Sequence, residues 1–191
     1  DTNVYVEVST PRPDSPWPRP GPGLAELFQA LMSTGGCVGD SVQSEGPELG
    51  FKKIALYYLS VYVDAPPTWT LDGKRIEHTA VGSLNFSDEM QRDVAFGLLA
   101  GRLCTWWWAS TGDDFNAPTG TFTSFPIGLQ QVKPIWPDLA AIAKQLRREQ
   151  QAHPLVTKYA GKEMGNYDMS RCRHITDQAD QLVLATLGLG E

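Results

Sequence analysis

Between Gly97 and Ile127 the chain runs from a helical apolar segment through three consecutive tryptophans into a Gly-Asp-Asp-Phe-Asn turn, then leaves through Phe125-Pro126-Ile127. No other stretch limits the fold as much. A helix end turns at most two of three successive residues toward a core, so one of Trp106, Trp107 and Trp108 must lie at its margin. Upstream, Gly97 and Gly101 recur four residues apart, and each glycine in a helix interior costs on the order of 1 kcal/mol relative to alanine. Close approach of another backbone offsets that cost, so the helix is expected to pack tightly on a sheet. The tryptophans carry two readings. Core packing is the stronger; the other is a marginal ring that stacks on a base or lines a peptide groove.

The rest of the sequence is that of a globular chain. Its 191 residues allow one well-buried core, and 41% hydrophobic with 20% charged residues argue against disorder. Glycine and proline contribute 18 and 14 residues, so turns are many and long regular elements few. No apolar run of about 18 residues could cross a membrane. Asp1-Thr2-Asn3 carries neither an initiator Met nor a signal-peptide pattern, and reads as a start cut from something longer. Cys37, Cys104 and Cys172 are odd in number and far apart, unlike a disulfide framework or a zinc site. They read as free thiols in a reducing cytoplasm. Net charge is −6, and −5 of it falls in the first fifty residues. Between Lys144 and Arg173, by contrast, seven bases outnumber three acids, so a local basic face is possible.

Val4–Val8 reads as a strand, and the alternating prolines from Pro11 to Pro22 as an extended linker or a P-x-x-P ligand. Leu24–Met32 is a short amphipathic helix and Ser33–Gly50 an acidic Gly/Ser loop. Lys52–Val63 is a buried strand or strand pair that ends at Asp64-Ala65-Pro66-Pro67. Asp72-Gly73 marks a hairpin between Trp69–Leu71 and Ile76–Val81. Ser87 is the expected cap of a helix running to about Trp107. Pro137 opens a helix over Asp138–Gln151, Gly161–Asp168 is a loop, and Thr176 caps a last helix that ends at Gly188. The expected fold is α+β, loop-rich, with a mixed or antiparallel sheet and about four helices. Residues 1–50 form an acidic, Pro/Gly-rich segment, and residues 51–191 the main domain.

Enzymatic signatures are missing. His78, His153 and His174 lie in separate segments without metal-ligand spacing, and no G-x-S-x-G, Walker A or G-x-G-x-x-G motif occurs. Asp113-Asp114 reads as a solvated turn in preference to a cation site.

Two segments carry a family resemblance. Leu98–Leu103, Trp106–Trp108, Gly112-Asp113-Asp114-Phe115 and Ser124–Ile127 form the first. Gly165–Asp168, Arg171, Ile175-Thr176-Asp177, Asp180 and Leu187–Leu189 form the second. Together they resemble the C-terminal target-recognition region of large adenine-N6 DNA methyltransferases of the Eco57I-like and phage-defence type. The family's catalytic N-P-P-[YF] loop and its glycine-rich S-adenosylmethionine loop have no counterpart here. Asp64-Ala65-Pro66-Pro67-Thr68 offers no aromatic to stack a flipped adenine, and Gly101-Arg102 stands where the family usually carries Asn-Ser.

The resemblance therefore implies a cytoplasmic, non-catalytic module without a cofactor of its own. It would hold duplex DNA for the methyltransferase domain of a parent protein that uses S-adenosylmethionine. Its implied DNA contacts are Lys52, Lys53, Lys74, Arg75, Arg102, Asn116 and Thr119, with Arg171 and Arg173 on phosphates. The alternative is a protein-interaction domain that works through the acidic, proline-rich N-terminal third.

Overall fold

From Gln43 to Lys52 the chain forms β1, although QSEGPELGFK has neither β-branched residues nor alternation to suggest a strand. Its ladder comes from its neighbours. β5 (Val81–Asn85) pairs along one edge and β2 (Val61–Tyr62) along the other, both antiparallel, so the strand order is β2-β1-β5. Cross-strand pairing supplies what propensity does not, and the loop expected over residues 33–50 gives way to this strand from Gln43 onward. The division drawn between residues 50 and 51 falls inside β1. Of the buried strand or strand pair expected over Lys52–Val63, the structure shows the end of β1 and the two residues of β2, which pair antiparallel.

These elements belong to a computed structural model that describes residues 24–189 except 56–57, 78–79, 114 and 160. The expected strand at Val4–Val8 and the proline-rich path after it lie outside the described residues.

A second antiparallel sheet has the order β4-β3-β7-β6. β3 (Thr68–Thr70) and β4 (Arg75–Ile76) form the expected hairpin, with Gly73 supplying a φ of +84° in its turn. β6 (Pro154–Tyr159) and β7 (Lys162–Tyr167) replace the loop expected at Gly161–Asp168. The two sheets are joined at β7. Lys52 Nζ donates to the Gly165 carbonyl at 3.0 Å, Tyr167 Oη to the Asp64 carbonyl at 2.8 Å, and the Tyr62 and Tyr167 rings meet edge-on at 6.5 Å.

Six α-helices complete an α+β fold among the described residues. α1 (Ala25–Met32) buries Phe28 and Leu31 in the same apolar cluster as Leu49, Phe51 and Leu84 of the first sheet. α2 (Glu89–Leu99) lies on β1 and against α5 (Trp136–Ala152), and α5 packs on α6 (Met169–Thr186). Asp88 caps α2 by accepting the Gln91 amide at 2.9 Å, one residue beyond the expected Ser87. Gly97 faces the Leu139 carbonyl of α5 and not a sheet, as a Cβ there would stand 3.4 Å from it.

The helix expected to run on to Trp107 breaks at Gly101. α3 (Arg102–Thr111) begins anew with Gly101 extended at its N-cap, where glycine has no side chain to offer. Asp180 of α6 supplies the missing acceptor: its Oδ2 takes the Arg102 amide at 2.7 Å and the Leu103 amide at 3.4 Å. A Cβ on Gly101 would collide with that carboxylate. α6 in turn starts at Asp168, whose Oδ1 accepts the Ser170 amide at 3.1 Å, and not at Thr176. Its buried face already begins at Cys172 and runs through Ile175, Ala179 and Val183. A short α4 (Thr119–Thr123) follows the Asp113 turn, and Phe125–Ile127 leaves it as buried coil. No helix among the described residues is long and apolar enough to cross a membrane.

Two outcomes test the α3–α6 contact. Gly101→Ala is expected to cost about 1–3 kcal/mol in urea denaturation, because the methyl group and Asp180 cannot share the site. Asp180 itself has its pKa pushed up from 3.8 to about 6, chiefly by burial, which outweighs the two amide bonds. A carboxyl whose folded pKa is raised binds its proton more tightly in the native state. Its contribution to stability is therefore full below about pH 4 and is lost as pH rises through about 6. Wild type should gain up to about 3 kcal/mol on Asp180→Asn as pH falls from 7 to 4. Parallel pH profiles for the two proteins would rule this out.

Candidate nucleic-acid interface

The two segments that carry the resemblance meet in space. Arg102 opens α3, and its Nε lies 2.7 Å from Asp177 Oδ1; Arg173, four residues before Asp177 on α6, reaches Oδ2 of the same carboxylate at 3.6 Å. Arg171 approaches Asp168 at 3.9 Å. The three arginine side chains stay 63%, 67% and 69% exposed for Arg102, Arg173 and Arg171. One carboxylate cannot satisfy all the N–H donors of two guanidiniums, so the Arg102–Asp177–Arg173 group keeps a positive excess and open donors. Two of the nine expected contacts, Arg102 and Arg173, thus share one rim, while Arg171, two residues from Arg173 on α6, faces away from it.

A second group lies past the other end of α3, whose ten residues place it about 15 Å away. Asp113 closes an Asx-type turn. Its Oδ1 accepts the Phe115 and Asn116 amides at 3.0 and 2.6 Å, and its Oδ2 accepts Asn116 Nδ2 at 2.6 Å. These bonds, led by the Asn116 side chain, hold the Asp113 carboxyl below its usual range. The turn is fastened to the first sheet as well. Ala55 N donates to the Phe115 carbonyl at 2.9 Å and Ala117 N to the Lys53 carbonyl at 2.8 Å, with Ile54 bridged to Asn116. Lys53, Asn116 and Thr119 are therefore near one another and exposed, with the apolar side chains of Ile54 and Phe115 open to solvent beside them.

The tryptophans hold this arrangement from below. Trp107 and Trp108 are buried and Trp106 is partly buried, the two-in-three division that helix geometry demands. Trp107 stacks on Phe28 at 5.4 Å and Trp106 meets the same ring edge-on at 6.2 Å. Trp108 Nε1 donates to the Asn116 carbonyl at 2.7 Å.

The remaining expected contacts lie elsewhere. Lys74 and Arg75 are exposed on the β3–β4 hairpin. Lys52 is half-buried between the sheets, where its ammonium serves the Gly165 carbonyl and burial pushes its pKa down to about 8. Such a group is a poor phosphate ligand. Asp64, before the two prolines, is occupied too. Arg147 grips its carboxylate at 2.5 and 2.7 Å, Gln151 donates at 2.6 Å, and the Arg147 bonds lead in holding its pKa down.

Sequence reasoning missed Tyr58, which read as part of a buried strand. It borders a pocket of about 610 Å³ together with Arg102, Thr105, Leu155, Ser170 and Arg173. Among the described residues no group of three or more His, Cys, Asp or Glu side chains is placed to hold a metal ion. Cys37, Cys104 and Cys172 are free thiols. Comparison with protein-family models, curated proteins and solved structures finds no match.

Trp108→Phe keeps the buried ring and removes the bond to the Asn116 carbonyl. It is expected to cost about 1 kcal/mol in urea denaturation and to speed hydrogen exchange at the Ala55 and Ala117 amides. Unchanged exchange would mean that Asp113 and the sheet hold the turn without the indole.

Proposed function

We propose that this chain is a DNA target-recognition module of an adenine-N6 methyltransferase, of the restriction-modification or phage-defence kind. In this reading duplex DNA is held for a methyltransferase domain outside the chain, and that domain binds S-adenosylmethionine and performs the chemistry. The reading starts from the family resemblance. The single observation that carries it further is the exposed pair Arg102 and Arg173, which share Asp177 where the two resembling segments pack together. Guanidiniums on the first turns of two helices suit the phosphate backbone, which positions a protein without specifying sequence. The clamped turn with Lys53, Asn116 and Thr119, and the hairpin with Lys74 and Arg75, are the base-reading candidates. Lys52 belongs to the frame. The protein-interaction alternative rests on the N-terminal segment, and its proline-rich part lies outside the described residues.

Duplex binding followed by fluorescence anisotropy should weaken steeply between about 50 and 200 mM salt, with a log–log slope near −0.9 for each phosphate contacted. Arg171→Ala removes a side chain with one loose partner, and is expected to reduce the slope by about 1 at all sequences alike. Asn116→Ala should alter sequence preference more than salt dependence. Absence of binding at low salt, for the chain alone and fused to its methyltransferase domain, would overturn the proposal.

A further inference from the structure

The pocket between the start of α3, the first turns of α6 and the start of β6 has a chemistry that the arginine rim alone does not use. Its volume, about 610 Å³, lies within the range of small-molecule sites, roughly 300–1,000 Å³. One wall is apolar: Leu59, Met169 and Leu155 line it, and Leu155 is 44% exposed, a leucine on an edge strand that the core does not absorb. Tyr58 adds an aromatic ring fixed at its hydroxyl, which accepts from Asn166 Nδ2 at 3.4 Å. Asn166 is itself anchored, accepting from Ser60 Oγ and from the Tyr167 amide at 3.4 and 2.9 Å. Arg102 and Arg173, sharing Asp177, line it too, as does Asp168, whose carboxylate is taken up by Ser170 and by Arg171.

A fixed aromatic, an apolar wall and two partly satisfied guanidiniums together fit a ligand with one flat apolar face and one anionic end. We propose that this pocket takes a single unstacked nucleotide, its base against Tyr58 and Leu155 and its phosphate on Arg102 and Arg173. The source of that nucleotide, an unpaired residue of a bound DNA strand, rests on the target-recognition reading; the pocket chemistry does not. Stacking tolerates every base, since each has a π-face. The site therefore accepts a displaced nucleotide without reading its identity, and sequence is left to the turn and the hairpin. Phosphate on the two guanidiniums replaces part of the Asp177 contact with a bidentate, charge-assisted one. Filling the pocket thus draws the nucleotide and the rim arginines into one contact surface.

The test uses the full chain and two probes: deoxyadenosine monophosphate alone, with inorganic phosphate as its control, and a duplex carrying 2-aminopurine opposite a mismatch. Binding of the nucleotide should exceed that of phosphate. Tyr58→Phe should keep it, and Tyr58→Ala should weaken it about tenfold through lost stacking. Leu155→Glu alters an exposed side chain, so the fold persists, and its carboxylate beside Arg102 and Arg173 should weaken nucleotide binding. Addition of wild type, not of Leu155→Glu, should raise 2-aminopurine fluorescence. Duplex binding with no fluorescence change and no preference for nucleotide over phosphate would overturn the pocket proposal and leave the target-recognition reading intact. Nucleotide binding lost in Leu155→Glu, with no duplex binding at low salt, would support the pocket and remove the DNA source. Equal binding of nucleotide by wild type and Leu155→Glu would also overturn it.

Discussion

The carboxylate of Asp180 at the start of α3 is the contact on which the rest of the structure turns. Four amides at any helix start lack partners within the helix, and Gly101 at the N-cap has no side chain to serve them. Asp180 reaches across from α6 to do so, and glycine is the residue that leaves it room. The arrangement is costly, since burial raises the pKa of Asp180 to about 6 and works against the charge that the amides favour. It nonetheless fixes two things together: the angle at which the chain leaves α2, and the register of α3 against α6. Arg102 comes to Asp177 only because its neighbour Gly101 sits against Asp180, one turn further along the same helix.

α3 then acts as a strut with a different fastening at each end. At its start a charged tertiary cap sets the arginine rim and the pocket; at its end Trp108 grips the Asn116 carbonyl and steadies the Asp113 turn. Trp106 and Trp107 press on Phe28 of α1 between these points. Three adjacent tryptophans are thus used as structure, two in the core and one at its margin. None of them needs to be a contact surface for the turn beyond them to be one.

How much of this was legible depended on where the information lay. The α1 and α5 helices, the Asp72-Gly73 hairpin and the α+β class were readable, because 3.6-residue periodicity, a first-turn proline and a turn dipeptide are local signals. β1 and β7 were not. Gln43–Lys52 takes its longest ladder from β5, about thirty or more residues on, of which QSEGPELGFK carries no local trace, and Lys162–Tyr167 pairs both with its hairpin neighbour β6 and with the distant β3. The break at Gly101 was hidden for the same reason: its cause, Asp180, lies 78 residues from Arg102. Glycines at 97 and 101 did point to close approach, but the neighbours proved to be Leu139 of α5 and Asp180 of α6 in place of a sheet.

The site divides along the same line. Charge type was visible in the sequence, and Arg102, Arg171 and Arg173 could be named, though not that Arg102 and Arg173 meet at one carboxylate while Arg171 faces away. Lys52 shows the opposite failure: a lysine beside an apolar stretch reads as a surface cation, whereas here its ammonium is turned inward to join two sheets at Gly165. Formal charge therefore overstates the surface available to a polyanion on this chain. What counts is exposure and the number of carboxylates that each cation must share. Lys52 is half-buried and bonded to a carbonyl, while Arg102 and Arg173 divide one carboxylate between them. By that measure the start of α3 is where an acidic chain of net charge −6 can still offer an anion a concentrated contact, and the apolar pocket beside it limits which anions gain most from taking it.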